Sequence, residues 1–183
     1  MKIFPLEIAG AAVVETTPFL DQRGSFARLC CQRELGEIIG HRKIVQINTS
    51  MTKAVGAVRG LHFQRPPKAE MKLVRCVRGA VWDVLVDLRR DSPTFKKWHA
   101  EELSAGNAKM MVIPEGCAHG FQVLSPDSEM LYLHTEFYCP EFGGRVKFDD
   151  PQLRIQWPLE VTELSEADKD GAQLPADYRG LLL

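Results

Sequence analysis

Two side chains in the middle of the chain have types and positions suited to proton-transfer chemistry. His62 lies near the end of one apolar run, Val55–Phe63, and Lys72 near the start of the next, Met71–Val77. An unperturbed imidazole, with a pKa of ~6.5, takes and releases a proton near neutrality. A Lys set among Met71, Leu73 and Val74 costs burial free energy unless something uses its charge. Side chains alternate along a strand, so residues 58, 60 and 62 share one face and residues 72, 74 and 76 share another. If both faces look into one interior, an imidazole and an ammonium meet in one cavity. Taken singly, each has a plainer reading, since a strand His is usually a satisfied core or surface residue and a strand Lys is usually solvated. The five cysteines, Cys30, Cys31, Cys76, Cys117 and Cys139, offer less. Their number is odd, no Cys-x-x-Cys occurs, and Cys117 has no evident base partner, so they read as small buried hydrophobes in a reducing compartment.

The elements that must position these residues are short strands. Lys43–Asn48, Val55–Phe63, Met71–Val77, Ala80–Asp87, Trp98–Leu103, Met110–Ile113, Gly120–Leu124, Glu129–Thr135 and Arg145–Phe148 follow one another with turn residues between them. That spacing predicts an all-β antiparallel sandwich or barrel, not a βαβ fold. Arg78-Gly79 between two apolar runs predicts a tight hairpin turn. Helical signals are confined to Arg33–Ile39 and to the acidic stretch after Ser165, which can cap it. At 183 residues, with no linker and no repeat, the chain fits one domain, residues 1–183, with a core of its own. Its 23 basic and 24 acidic residues give a net charge of −1, which offers no footprint for nucleic acid or an anionic membrane. No apolar run is long enough to span a bilayer, and the first residues lack the pattern of a signal peptide, so a cytoplasmic protein is expected.

Two segments resemble the paired motifs of the cupin superfamily. Gly56 is followed by five residues and then His62, and Pro114-Glu-Gly-Cys-Ala-His119 matches the Pro-x-Gly-x-x-His of the second motif. Metal-binding cupins continue the first motif with a second His and then a Glu. Here those positions hold Gln64 and Lys72, the latter separated by six residues from Gly79. A protonated Lys offers no lone pair and repels a divalent ion, and two histidines fall short of the three protein ligands of a typical catalytic zinc site. The pattern is that of a barrel whose metal site has been replaced by acid–base groups.

Over nearly its whole length the chain resembles the dTDP-4-dehydrorhamnose 3,5-epimerase family. The segments that carry the likeness include Asp21-Gln-Arg-Gly-Ser-Phe26, Gln46-Ile-Asn-Thr-Ser50, Arg59-Gly-Leu-His-Phe-Gln64, Lys72-Leu-Val, Asp83-Val-Leu-Val-Asp-Leu-Arg89, Pro114 to Phe121, Asp149-Asp-Pro151, Ile155-Gln-Trp-Pro158 and Leu164-Ser-Glu-Ala-Asp168. Each is weak alone; their order and spacing make the signal specific. The resemblance implies a cupin-type jelly-roll β-barrel with a few short peripheral helices. It also implies a homodimer that exchanges N-terminal strands, and no metal or redox cofactor.

The implied reaction inverts carbons beside a 4-keto group. Such a proton sits roughly a dozen pKa units above an imidazole, so unaided transfer is uphill by about 16 kcal/mol at ~1.36 per unit. A general base alone contributes only ~10²–10⁴-fold. The site therefore needs an enolate stabiliser, an acid on the opposite face and anchors for the diphosphate. By resemblance His62 is the base, Asp168 its orienting carboxylate, Lys72 the cation near the 4-keto oxygen and Tyr132 the opposed acid. Arg23, Arg59 and His119 match diphosphate or sugar contacts, and Phe26, Gln46, Asn48 and Tyr138 match nucleotide or sugar contacts. Residue type alone leaves open whether Asp168 or Asp170 serves, or whether Asp168 only complements a helix N-terminus.

The chain departs from the usual family pattern at Arg28, Leu133, His134, Gly143 and Ala167, which bears on the nucleotide base and the sugar. A C3-only epimerase and a 3,4-ketoisomerase are the nearest alternatives. A metal-dependent cupin oxygenase and a non-catalytic sugar-binding cupin are rivals from other classes.

Overall fold

The computed structural model describes residues 1–183. The strands are β1 (Lys2–Pro5), β2 (Ala12–Glu15), β3 (Phe19–Asp21), β4 (Gly24–Phe26), β5 (Gln46–Thr52), β6 (Val58–Gln64), β7 (Lys72–Arg78), β8 (Ala80–Asp87), β9 (Trp98–Ser104), β10 (Lys109–Ile113), β11 (Cys117–Val123), β12 (Ser128–His134) and β13 (Gly143–Arg145). Two one-turn helices, α1 (Gly36–Ile39) and α2 (Glu166–Lys169), and a 3-10 turn at Pro140–Phe142 complete the list.

Six strands pair in the order β1-β2-β10-β7-β12-β5 and five in the order β13-β6-β11-β8-β9, while β3 and β4 form a separate ribbon. The two large sheets face each other. One core cluster fills the space between them, with Val74, Cys76 and Met111 from the first sheet against Val81, Leu85 and Phe121 from the second. A second cluster covers the outer side of the six-stranded sheet, where Leu35 and Ile39 pack on Leu73, Val112 and Leu133. A third lies outside the five-stranded sheet, where Val146, Leu153 and Leu174 pack on Leu61, Val84 and Val86. Strands β8 and β11 are thus covered on both faces, which is why they are buried almost throughout and carry little polar alternation.

The jelly-roll barrel expected from the sequence is not what forms. Both sheets are open: β1 and β5 end one, β13 and β9 end the other, and no ladder joins them. The Arg78-Gly79 turn shows the reason. Gly79 takes the left-handed conformation a tight turn needs (φ +77°). Yet β7 pairs with β10 and β12, whereas β8 pairs with β9 and β11. The turn is a corner between sheets and not the hairpin expected, so the chain passes from layer to layer without carrying the hydrogen-bond ladder with it.

The strand pattern of the middle of the chain agrees with expectation to within a few residues. β5 runs further toward the C-terminus than expected, β13 lies earlier, and the first helix keeps only its last turn. The four N-terminal strands are additions. The β3–β4 ribbon stands away from the sandwich and leaves Phe19, Leu20 and Phe26 largely exposed.

Candidate functional site

The sheets part at one end around a cavity of about 840 Å³. Its walls come from β5, β7 and β12 on one side, β6, β11 and β13 on the other, and the segment from Thr162 to Lys169 at the rim.

His62 enters from β6, and its Nε2 lies 2.6 Å from Asp168 Oδ1. Asp168 is supplied by α2, where Ser165 caps the helix by accepting from the Asp168 N–H at 3.1 Å. Burial pushes the Asp168 carboxyl up, but the His62 ring, the Ser165 hydroxyl and the Gly60 N–H together outweigh it. The net effect holds Asp168 below its ordinary value. An ionised carboxylate only accepts, so His62 Nε2 carries the proton and Nδ1 is left with the basic lone pair. The cap thus fixes the carboxylate, and the carboxylate fixes the tautomer.

Alternation alone would put Arg59 and His62 on opposite faces of β6. Both line the cavity because the ladder to β11 slips: His119 pairs with His62 but Phe121 pairs with Arg59, so β6 holds one extra residue there. The slip falls at Gly60, where a Cβ would lie 2.5 Å from the Gly120 Cα. No other residue type fits that approach.

Lys72 lies on the facing sheet. Its Nζ is 3.1 Å from Glu70 Oε1 and 3.5 Å from the His62 carbonyl oxygen. The buried ammonium is therefore compensated by a carboxylate two residues away, and it is held beside the strand that carries the imidazole. Tyr132, on β12 of the same sheet, hydrogen-bonds Ser50 Oγ at 2.9 Å. Burial pushes its phenol up to about 12, so it keeps its proton at neutral pH. His119, on β11, bonds the sealed carboxylate of Asp83 at 2.7 Å and meets the Tyr132 ring edge-on.

The remaining sequence candidates divide. Arg59, Asn48 and Tyr138 line the same cavity; Arg59 Nε donates to Thr52 Oγ1 at 2.8 Å. Gln46 acts beside it, accepting the Tyr138 N–H at 3.1 Å. Arg23 and Phe26 are not brought to this site within the chain. Arg23 is held by Asp21 on the exposed ribbon, and Phe26 borders a separate cavity of about 330 Å³ beside Phe19 and Arg28. Gln64, where metal-binding cupins place a ligand, instead braces a loop: its amide donates to the carbonyls of Lys68 and Phe137 and accepts the Cys139 N–H. No three His, Cys, Asp or Glu side chains gather as a metal site.

Sequence reading missed Glu70 and Asp83 as members of the site. The signal was present for both: a carboxylate two residues before a buried Lys, and an Asp in the middle of the otherwise apolar run Val81–Val86 of β8.

The chain was compared with known proteins. The family model for dTDP-4-dehydrorhamnose 3,5-epimerase matches residues 5–176. The dTDP-4-dehydrorhamnose 3,5-epimerase of Pseudomonas aeruginosa is 46% identical over 173 residues, 93% of this chain and 94% of its own. The structure of RmlC from Legionella pneumophila in complex with dTDP-4-keto-L-rhamnose superposes with a TM-score of 0.91 at 35% identity, covering 100% of this chain and 98% of that one. ChmJ from Streptomyces bikiniensis, a 3′-monoepimerase in complex with dTDP-quinovose, gives a TM-score of 0.87 at 31% identity, covering 93% of this chain and 86% of that one.

Proposed function

The chain belongs to the dTDP-4-dehydrorhamnose 3,5-epimerase family, and from that premise we propose how its own residues divide the work. It is an isomerase that inverts C3 and C5 of dTDP-4-keto-6-deoxyglucose to give dTDP-4-keto-rhamnose. His62 Nδ1 removes the proton from the carbon beside the ketone, and Asp168 stabilises the imidazolium that results. The charge that develops on the 4-keto oxygen is met by the Lys72 ammonium. Tyr132 then gives its phenolic proton to the opposite face of the same carbon. A phenol near 12 is still a far stronger acid than that C–H, so this transfer runs downhill.

One observation carries the assignment. His62 and Tyr132 stand on different sheets, β6 and β12, across one cavity. A sugar ring between them presents one face to a base and the other to an acid, which inversion requires and simple binding does not. Arg59 and His119 are the contacts assigned to the diphosphate or sugar, and Gln46, Asn48 and Tyr138 those assigned to nucleotide or sugar.

Arg23 and Phe26 are assigned to the cavity of a second copy, in a homodimer that exchanges the β3–β4 ribbon. The exposure of Phe19 (81%) and Leu20 (79%) on that ribbon supports this, since apolar side chains so placed gain by docking. A solution mass near one chain, at full activity, would count against it. No helix is long and apolar enough to cross a membrane, and five unpaired cysteines favour the cytoplasm as the compartment. We treat residues 1–183 as one domain.

The test is proton NMR of dTDP-4-keto-6-deoxyglucose in D₂O with the enzyme. Deuterium is expected at both C3 and C5. Entry at C3 alone would mark a monoepimerase or a ketoisomerase, which product couplings separate; no exchange at all would mean either another nucleotide sugar as substrate or binding alone, which CDP- and GDP-linked sugars tell apart. In Tyr132→Phe the expected result is exchange without inversion, because the base still works and the opposed acid is gone.

A further inference from the structure

The roles above leave one cluster in the cavity wall unexplained, buried at Glu70 and open at Asn48. Glu70, His134 and Asn48 form a chain of contacts that begins at Lys72. Glu70 gives one oxygen to each neighbour: Oε1 lies 3.1 Å from Lys72 Nζ and Oε2 lies 2.7 Å from His134 Nδ1. The other ring nitrogen of His134, Nε2, is 3.4 Å from Asn48 Nδ2. The Tyr132 ring lies nearly parallel to the imidazole, with centroids 6.1 Å apart and 17° between planes.

The protonation pattern follows from donor counting. Burial pushes the Glu70 carboxyl up, but the bond from His134 and the charge of Lys72 hold it below the usual range, so it is an acceptor only. His134 Nδ1 must then be the N–H, and in the neutral ring Nε2 accepts from the Asn48 amide. Lys72 and His134 are directly opposed cross-strand partners on β7 and β12. A glutamate has three side-chain torsions, and an ammonium alone does not fix them. The second, directional bond from His134 does.

We propose that His134 is a positioning residue with two arms: Nδ1 holds Glu70, and through it the Lys72 ammonium, while Nε2 holds the Asn48 amide. The first arm serves turnover and the second serves substrate binding. Both rest on the roles given above to Lys72 and Asn48.

Two polar substitutions separate the arms. In His134→Asn the side-chain amide nitrogen reaches the place of Nδ1 and nothing reaches the place of Nε2. In His134→Gln the reverse holds. For His134→Gln we expect kcat to fall about 10-fold with KM within about 2-fold; for His134→Asn we expect KM to rise about 5-fold with kcat within about 2-fold. A structural role would move both variants together. The same parameter shifting in both, or neither shifting, overturns the proposal. Lys72→Met is measured alongside. If it retains turnover, the role of Lys72 itself fails and takes the first arm with it. If it loses about 100-fold or more while His134→Gln is unchanged, only the present inference fails.

Discussion

The molecule holds two histidine–aspartate pairs on neighbouring strands, and they are chemically opposite. His62 on β6 and His119 on β11 are direct cross-strand partners. Each binds an aspartate through Nε2, at 2.6 Å to Asp168 and 2.7 Å to Asp83. The His62 side chain is 42% exposed to the cavity, whereas that of His119 is 5% exposed and Asp83 is sealed. Asp168 is held below its ordinary value by bonds from His62, Ser165 and Gly60 that outweigh burial. Asp83 is pushed above its ordinary value by burial, which its bond to His119 only partly offsets, and its Oδ1 finds no partner at all. The same two residue types therefore make an accessible dyad with an ionised carboxylate in one place and, in the other, a pair whose carboxylate is sealed and whose imidazole reaches the cavity wall. Solvent access and the number of donors around the carboxylate decide which.

Removing each histidine sharpens that contrast most. His62→Ala is expected to lower kcat about 10³-fold or more, with KM little changed, because the proposed base acts only in the proton transfer. His119→Ala is expected to lower kcat no more than about 10-fold and to act mainly on KM, as a binding contact would. Steady-state kinetics on dTDP-4-keto-6-deoxyglucose measures both. Equal losses of kcat would erase the distinction.

Neutralising each aspartate gives a smaller separation. Asp168→Asn keeps the imidazole but withdraws the negative charge that steadies its protonated form, and a loss of about 10²-fold in kcat is expected. Asp83→Asn keeps an acceptor for His119 and removes a charge that burial already disfavours, so activity is expected to stay within about 10-fold. A loss at Asp83 as large as at Asp168 would mean that the buried pair takes part in proton movement.

How much of this was legible in the sequence depends on what sets each feature. The shared cavity of His62 and Lys72 follows from strand parity, a local rule, and the Ser165 cap that carries Asp168 is equally local. Arg59 defeats parity because the extra residue on β6 arises from the close approach of Gly60 to Gly120 across two strands distant in sequence. The sheets' failure to close also depends on which strands pair, and that is non-local. The strands before residue 27 are three or four residues long and broken by Pro5, Gly10, Pro18 and Gly24, too short for a period to show. The contact between Glu70 and His134 is likewise non-local, because only the pairing of β7 with β12 brings the two together.

The smallest expected effect concerns stability, and its sign is what matters. Asp168 has a folded pKa depressed below its ordinary value. Its contribution is therefore present above the unfolded value, near ~3.9, and is lost as pH falls through the folded one. Asp83 has a folded pKa raised above its ordinary value. Between its unfolded and folded values the unfolded chain holds fewer protons than the native one, so stability declines as pH rises across that window. Asp168→Asn should therefore be most destabilised, relative to the parent, at neutral pH, and should draw closer to it only at an acid pH below the unfolded value of ~3.9. Asp83→Asn should run the other way, comparing best with the parent at neutral pH and losing ground on acidification. Denaturant midpoints for the parent and both variants at the two pH values measure this. Opposite slopes would show that one pair is charged and the other is burdened by its charge. Parallel slopes would mean that the two pairs differ only in exposure, and the chemical contrast between them would fall.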